Sequence, residues 1–340
     1  GGAPAAAAST TAAAAEHVDG TQRTPSVPRA TTSAAATTTA TSAAAAVRYD
    51  DDDVYPTWPA RMDALSKTSL SPHRHRDKVT ALALSDDGEL LYSVATDTTL
   101  RVFSLKERRQ QRNVSLCDMT LSSLAIAGHH KVVAASWDNN VYFYSVDYGR
   151  VLDSFAAHDD AVSCLRFRRD VLVTGSWDTS ARVWQYRDDG VARAPVADFS
   201  IFDEEVRAVD IDAACNTVAV GLADGGVGVC DVRANALVRE VPAHADTVNA
   251  VAFARDGRSV VSVSDDGTAK LTDLGGVELC AHTAGAAVRD VRVAADGAHA
   301  LVAGDDGLLA LLALRDALRP VHTYDAGRSV SAMCVAAGCV

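Results

Sequence analysis

The chain has 340 residues, 48% of them hydrophobic and 22% charged, with a formal net charge of −12. That size and apolar fraction suit one large core-forming fold, and the acidic balance argues against nucleic-acid binding and against a polybasic membrane patch. No apolar run approaches the roughly 18 residues of a membrane span and no secretory signal is visible, so direct membrane insertion is not expected.

Residues 1–46 hold 18 Ala and 10 Thr, with no Leu, Ile or aromatic residue. Such a tract cannot bury enough apolar surface to offset its ordering entropy. Residues 1–49 are therefore expected to be a disordered Ala/Thr-rich linker. An acidic run, Asp50 to Asp53, precedes Val54, Tyr55, Trp58, Met62 and Leu65, so order is expected to begin near residue 50. The chain starts with Gly1 rather than Met, which suggests a fragment. Seven scattered cysteines without a CxxC pair read as reduced, buried small hydrophobes of a cytoplasmic protein, not as a disulfide or zinc framework.

From residue 75 the chain repeats itself. The segment His158 to Phe167, then Val171 to Trp184, alternates apolar and polar residues in short runs separated by turns, the period of β-strands. Aspartates at 97, 138, 178, 224, 266 and 306 each open a similar run, at steps of 41, 40, 46, 42 and 40 residues. A period near 40 with about four short strands per unit predicts an all-β propeller. Single units cannot bury both sheet faces; stacking them around an axis does.

These motifs resemble the WD-repeat proteins over residues 75–340. The resemblance implies a hydrogen-bonded set in each repeat: His before the first strand, Ser or Thr on the second, Asp in the next turn, Trp on the third. The third copy has all four, His158, Thr174, Asp178 and Trp184. The first has His75, Ser93 and Asp97 with Phe103 at the Trp place, and the fifth has His244, Ser262 and Asp266 with Thr272 there. The other copies keep only the Asp. His, Ser/Thr and Asp together also suggest a nucleophilic triad. Recurrence on several blades favours a structural role instead, and no oxyanion hole accompanies the set. The Gly-Gly and Asp-Asp-Gly turns lack the Lys of a phosphate loop and the further acids of a calcium loop, so no cofactor or metal is expected.

Copies two and three carry a closer likeness. Ser136-Trp-Asp-Asn-Asn-Val-Tyr-Phe-Tyr-Ser145, His158-Asp-Asp-Ala-Val-Ser163 and Gly175-Ser-Trp-Asp178 resemble the C-terminal propeller of the BEACH-domain proteins, the family of factor associated with neutral sphingomyelinase activation. The likeness is strong over about 72–184. It implies a non-catalytic scaffold in membrane traffic or signalling, cytoplasmic and held peripherally at membranes through domains upstream of this chain.

Six Asp-marked repeats, plus the start of a seventh at Arg328, lead to an expected seven-bladed ring with an incomplete last blade. The alternative is a six-bladed ring with a strand left over. Residues 50–74 form a lead-in segment expected to supply the closing outer strand. Family geometry places Trp137, Tyr142, Trp177, Arg182 and Arg101 on the Asp-turn face near the central opening, residue types enriched at binding hot spots. They form the expected protein-binding surface, and nearby Asp159, Asp160, Glu204 and Glu205 favour partner segments with basic flanks over nucleic acid. The competing function, an enzyme with its active site in the central channel, requires inward polar residues on the first strands. Those strands read Val79-Thr-Ala-Leu-Ala, Ala161-Val-Ser-Cys-Leu and Thr247-Val-Asn-Ala-Val, mostly small and apolar.

Overall fold

A computed structural model describes residues 74–128, 130–187 and 190–335. The expected linker and closing strand lie outside these described residues. Within them the chain forms strands joined by turns, and no helix is long and apolar enough to cross a membrane.

The strands assemble into six antiparallel sheets taken in chain order. Blade 1 contains β1 Val79–Leu84, β2 Leu90–Ala95, β3 Thr99–Ser104 and β4 Arg109–Ser115. Blade 2 contains β5 Leu121–Ile126, β6 Lys131–Ser136, β7 Asn140–Ser145 and β8 Arg150–Ala156. Blade 3 begins with β9 Val162–Arg168, β10 Val171–Ser176 and β11 Ala181–Arg187. Its outer strand is split into β12 Gly190–Val191 and β13 Ala197–Phe199, both paired with β11. Pro195, which has no amide to offer a ladder, lies between the two pieces. Blade 4 contains β14 Val206–Ile211, β15 Thr217–Leu222, β16 Gly226–Asp231 and β17 Ala236–Pro242. Blade 5 contains β18 Val248–Phe253, β19 Ser259–Ser264, β20 Thr268–Asp273 and β21 Glu278–Thr283. Blade 6 contains β22 Val288–Val293, β23 His299–Gly304, β24 Leu308–Ala313 and β25 Arg319–Asp325.

Burial follows position in the blade. β6 and β10 are buried along nearly their whole length, whereas outer strands such as β4 and β17 alternate between exposed and half-buried residues. Each pair of consecutive blades from 1–2 to 5–6 shares an apolar cluster. Tyr92 and Leu121 join blades 1 and 2, Phe143 and Trp184 join blades 2 and 3, and Phe199 and Ile211 join blades 3 and 4. Val227 and Phe253 join blades 4 and 5, and Leu271 and Leu312 join blades 5 and 6. Neighbouring sheets thus provide the dry contact that one sheet lacks.

One residue of each innermost strand is skipped by its ladder: Thr80, Ser122, Ser163, Arg207, Asn249 and Arg289. Such bulges re-aim a side chain, and four of the six use it to tie blades together. Thr80, Ser122 and Ser163 donate to the Leu121, Val162 and Val206 carbonyls at 2.5 Å, and Asn249 donates to Val288 at 2.8 Å. Each acceptor immediately precedes the next blade's skipped residue.

The described residues form six blades, which corrects the expected seven. Residues 329–335 belong to no sheet, because a strand exists only by pairing with another and no further described strand follows. The segment still continues the inner ring. Ser331 donates to the Val79 carbonyl at 2.8 Å, just before Thr80. The Met333 amide donates to Asp290 at 2.7 Å, as the Phe253 amide donates to Asp210 at 2.8 Å. The segment therefore links blade 6 to blade 1. Ser331→Ala is expected to cost about 1 kcal/mol. Deleting residues 328–340 should cost several-fold more, because it also strips the Met333 amide from buried Asp290. Urea midpoints check this, and an unchanged midpoint on deletion would refute the clasp.

Candidate functional site

The expected hydrogen-bond sets occupy three alternate blades. In blade 3 a relay runs through the sheet: Trp184 Nε1 donates to Thr174 Oγ1 at 3.0 Å, and Thr174 lies 2.7 Å from His158 Nε2. His158 Nδ1 lies 3.0 Å from the Asp178 carboxylate. A carboxylate only accepts, so the proton belongs on Nδ1 and Nε2 accepts from the Thr174 hydroxyl. In blade 1 His75 contacts Ser93 at 2.8 Å and Asp97 at 3.0 Å, and in blade 5 His244 contacts Ser262 at 2.8 Å and Asp266 at 3.2 Å.

A member absent from the sequence expectation completes each set. Thr99, Ser180 and Thr268, two residues beyond the Asp, donate to it at 2.6 Å. The signal was present as Asp-x-Ser/Thr in only the three copies that hold a His. In blade 2, which has no matching His, the Tyr142 hydroxyl reaches back to Asp138 at 2.5 Å.

These contacts give the sets a pH dependence. Burial alone would raise the Asp97 and Asp266 carboxyls. Hydrogen bonds from Thr99 and the Arg76 amide to Asp97, and from Thr268 and the Ala245 amide to Asp266, outweigh it and hold each at about 2. Burial lowers His75 and His244 below the usual 6.5. Both effects depress the folded-state value, so the stabilisation is complete above the unfolded value and is lost as pH falls. The histidine contribution should decline below pH 6.5, and the carboxylate contribution from about 4 toward 2. A melting-temperature profile flat from pH 6.5 down to 3 would contradict this.

The residues expected to bind a partner divide into two groups. Tyr142 is engaged by Asp138. Arg182 is held by Asp198 at 3.1 Å and by the Ala157 carbonyl at 2.7 Å, and Arg101 lies 3.6 Å from Asp97 with only 12% of its side chain exposed. These three brace the turns. Trp137 and Trp177 instead meet across the blade 2–blade 3 boundary, ring centroids 5.1 Å apart and tilted by 46°. Trp137 is 36% exposed. Arg207 lies over the Trp177 ring at 5.7 Å from its centroid and pairs with Glu205 at 3.3 Å. The Trp177 indole N–H is buried with no acceptor among the described residues.

The two tryptophans border the mouth of the central channel, where the skipped residues converge with Lys78 and Ser331. Arg289 is fixed there between Asp265 and Asp305, each at 2.5 Å. Sequence reading missed this ring, because a bulged residue is indistinguishable from its strand neighbours in a period-two pattern. The small apolar character expected of the first strands does not extend around the channel: the skipped residue of each is polar, and the ladder residues Arg166, Asp290 and Arg292 also line it, with Arg166 paired to Asp210 at 3.1 Å and Arg292 to Asp290 at 3.3 Å.

Among the described residues, six antiparallel blades around a channel, with His–Ser/Thr–Asp sets inside alternate sheets, define a WD-repeat β-propeller. Residues 58–324 match the family described as "Nucleolar protein 10-like, N-terminal domain", and the chain belongs to that family. It is also similar to the periodic tryptophan protein 2 homolog of Caenorhabditis elegans, 29% identical over 154 residues, covering 44% of this chain and 16% of that protein. The Poly(A)+ RNA export protein of Schizosaccharomyces pombe is 29% identical over 151 residues, 42% of this chain and 41% of that protein. The guanine nucleotide-binding protein subunit beta of Saccharomyces cerevisiae is 25% identical over 226 residues, 62% and 52%. The chain thus spans about half or less of each of these relatives. The narrower likeness to BEACH-domain proteins finds no support in these comparisons, nor does the membrane-traffic setting drawn from it. The motifs behind it are those any WD blade needs for packing, so they cannot separate one WD family from another.

Proposed function

We propose that this propeller is a non-catalytic protein-interaction scaffold of a nucleolar, RNA-linked assembly, and that a protein partner engages it at the channel mouth on Trp137 and Trp177. The observation that carries this reading is the tilted tryptophan pair, with Trp137 36% exposed at the surface and Trp177 packed behind it. Rigid aromatic side chains lose little entropy on binding, and the exposed Trp137 ring is backed by Trp177 at 5.1 Å. The nucleolar setting comes from the family description, and the RNA link from the name of the S. pombe relative. A channel enzyme is the weaker reading: the channel hydroxyls of Thr80, Ser122, Ser163 and Ser331 are spent on blade-to-blade bonds.

The test is affinity capture from nucleolar extract with the wild-type chain and with Trp137→Ala/Trp177→Ala. The double variant should lose about 2 kcal/mol or more of partner affinity while its melting temperature changes little. Equal recovery of the same partners by the folded variant would move the surface elsewhere.

A further inference from the structure

We propose that the channel-mouth site takes an arginine side chain from an extended basic segment of the partner protein, laid on the open face of Trp137. This rests on the partner surface proposed above and specifies its ligand. Three loops border the tryptophan pair: residues 116–120, 157–161 and 200–205. They carry five exposed carboxylates, Asp118, Asp159, Asp160, Asp203 and Glu204, and not one Lys or Arg. The exposed cations of the corresponding loops, Arg74, Arg76, Lys78 and Arg328, all lie at the junction of blades 6 and 1. The outer loops beside the pair are therefore acidic, while the cations near it, Lys78, Arg207 and Arg289, line the channel side and Arg182 lies 3.8 Å from Asp159.

Local contacts bring that charge to the rings. The Trp137 amide donates to the Thr120 carbonyl at 3.0 Å, which joins its turn to the loop that carries Asp118 and Met119. Asn139 donates to the Asp159 carbonyl at 3.1 Å, and the Trp177 amide to the Ala161 carbonyl at 3.1 Å. Met119 and Ile201 are 48% and 49% exposed in the same loops. The surface thus offers an apolar floor, an aromatic face and a rim of negative charge. An arginine matches all three: its methylene stem packs on apolar surface, its planar guanidinium stacks on indole, and its charge meets the carboxylates.

The protein already satisfies one half of the pair in this way. Arg207 covers Trp177 from within the channel, balanced by Glu205. No cation of the described residues stacks on Trp137 as Arg207 does on Trp177, and the outer loops next to it carry carboxylates without a Lys or Arg of their own. Phosphate groups meet the opposite of what they need here, so RNA is disfavoured at this face even in an RNA-linked assembly.

The experiment is calorimetric titration of the whole chain with three probes: a capped octapeptide of alternating Gly and Arg, the same peptide with Glu for Arg, and a single-stranded uridine 12-mer. The Arg peptide should bind and weaken as salt rises. The other two should not bind. Trp137→Ala should weaken the Arg peptide by about tenfold or more. Asp118→Asn/Asp159→Asn/Asp160→Asn, which leaves the tryptophans in place, should also weaken it and flatten its salt dependence. Equal binding of the Arg peptide to wild type and Trp137→Ala overturns the proposal, as does binding of the uridine or Glu probe at this site. If the cellular partner is lost with Trp137→Ala/Trp177→Ala yet the Arg peptide does not bind, the surface stands and its ligand chemistry fails. If the partner is retained, the surface itself fails.

Discussion

Asp178→Ala is expected to lower the stability of the propeller by about 3 kcal/mol, whereas Asp224→Ala should cost about 1 kcal/mol or less. Both residues occupy the same turn of successive blades, so local propensity does not separate them. Asp178 accepts from His158, from the Ser180 hydroxyl at 2.6 Å and amide at 3.0 Å, and from the Asp159 amide at 3.0 Å. Its side chain is 10% exposed. Truncation leaves those donors facing a dry gap, at about 1–3 kcal/mol for each group left unsatisfied, partly recovered by relaxation. Asp224 is exposed and accepts from the Gly226 amide at 2.8 Å. Water replaces that contact readily. For a domain of roughly this size, about 2–4 °C accompanies each kcal/mol, so thermal melts separate the two variants clearly. Equal shifts would mean that the blade 3 relay does not stabilise the fold.

Gly225→Ala should also destabilise by about 3 kcal/mol or more, far beyond Gly257→Ala. Both glycines have a left-handed backbone, φ +93° and +62°, where an alanine Cβ costs about 1–2 kcal/mol. Around Gly257 nothing lies within 4 Å of an added Cβ. At Gly225 the Cβ would strike the His244 carbonyl oxygen and come within 3.0 Å of the Asp246 carbonyl oxygen. Backbone cannot rotate aside as a side chain can, so the loop leading into blade 5 must move. That loop carries His244, whose bonds to Ser262 and Asp266 would be disturbed with it. Chemical denaturation of the two variants provides the comparison, and similar midpoints would refute the tight loop approach.

Motif contacts within one repeat could be read from the sequence, whereas contacts between distant repeats could not. The aspartate period reports a unit that closes on itself: His158, Thr174, Asp178 and Trp184 lie within 27 residues and meet through local strand pairing. Trp137 and Trp177, at the same place in consecutive units, were also identifiable as neighbours in space. What Tyr142 and Arg182 do with their polar ends was not, because each could face solvent or turn back on its own blade. Only packing shows that Tyr142 replaces the absent histidine of blade 2 and that Arg182 spans Asp198 and Ala157.

By itself, then, the sequence determined the all-β class, the repeat length and the His–Ser/Thr–Asp core of three polar sets, because each depends on residues a few turns apart. Tertiary structure decided the number of blades among the described residues, the channel ring and the contact between the two tryptophans. Ser331 meets Val79 across 252 residues, and Arg207, Asn249 and Arg289 converge from three different blades. No local pattern encodes such meetings, since they follow from how far each stacked sheet rotates about the axis before the chain returns to its first strand.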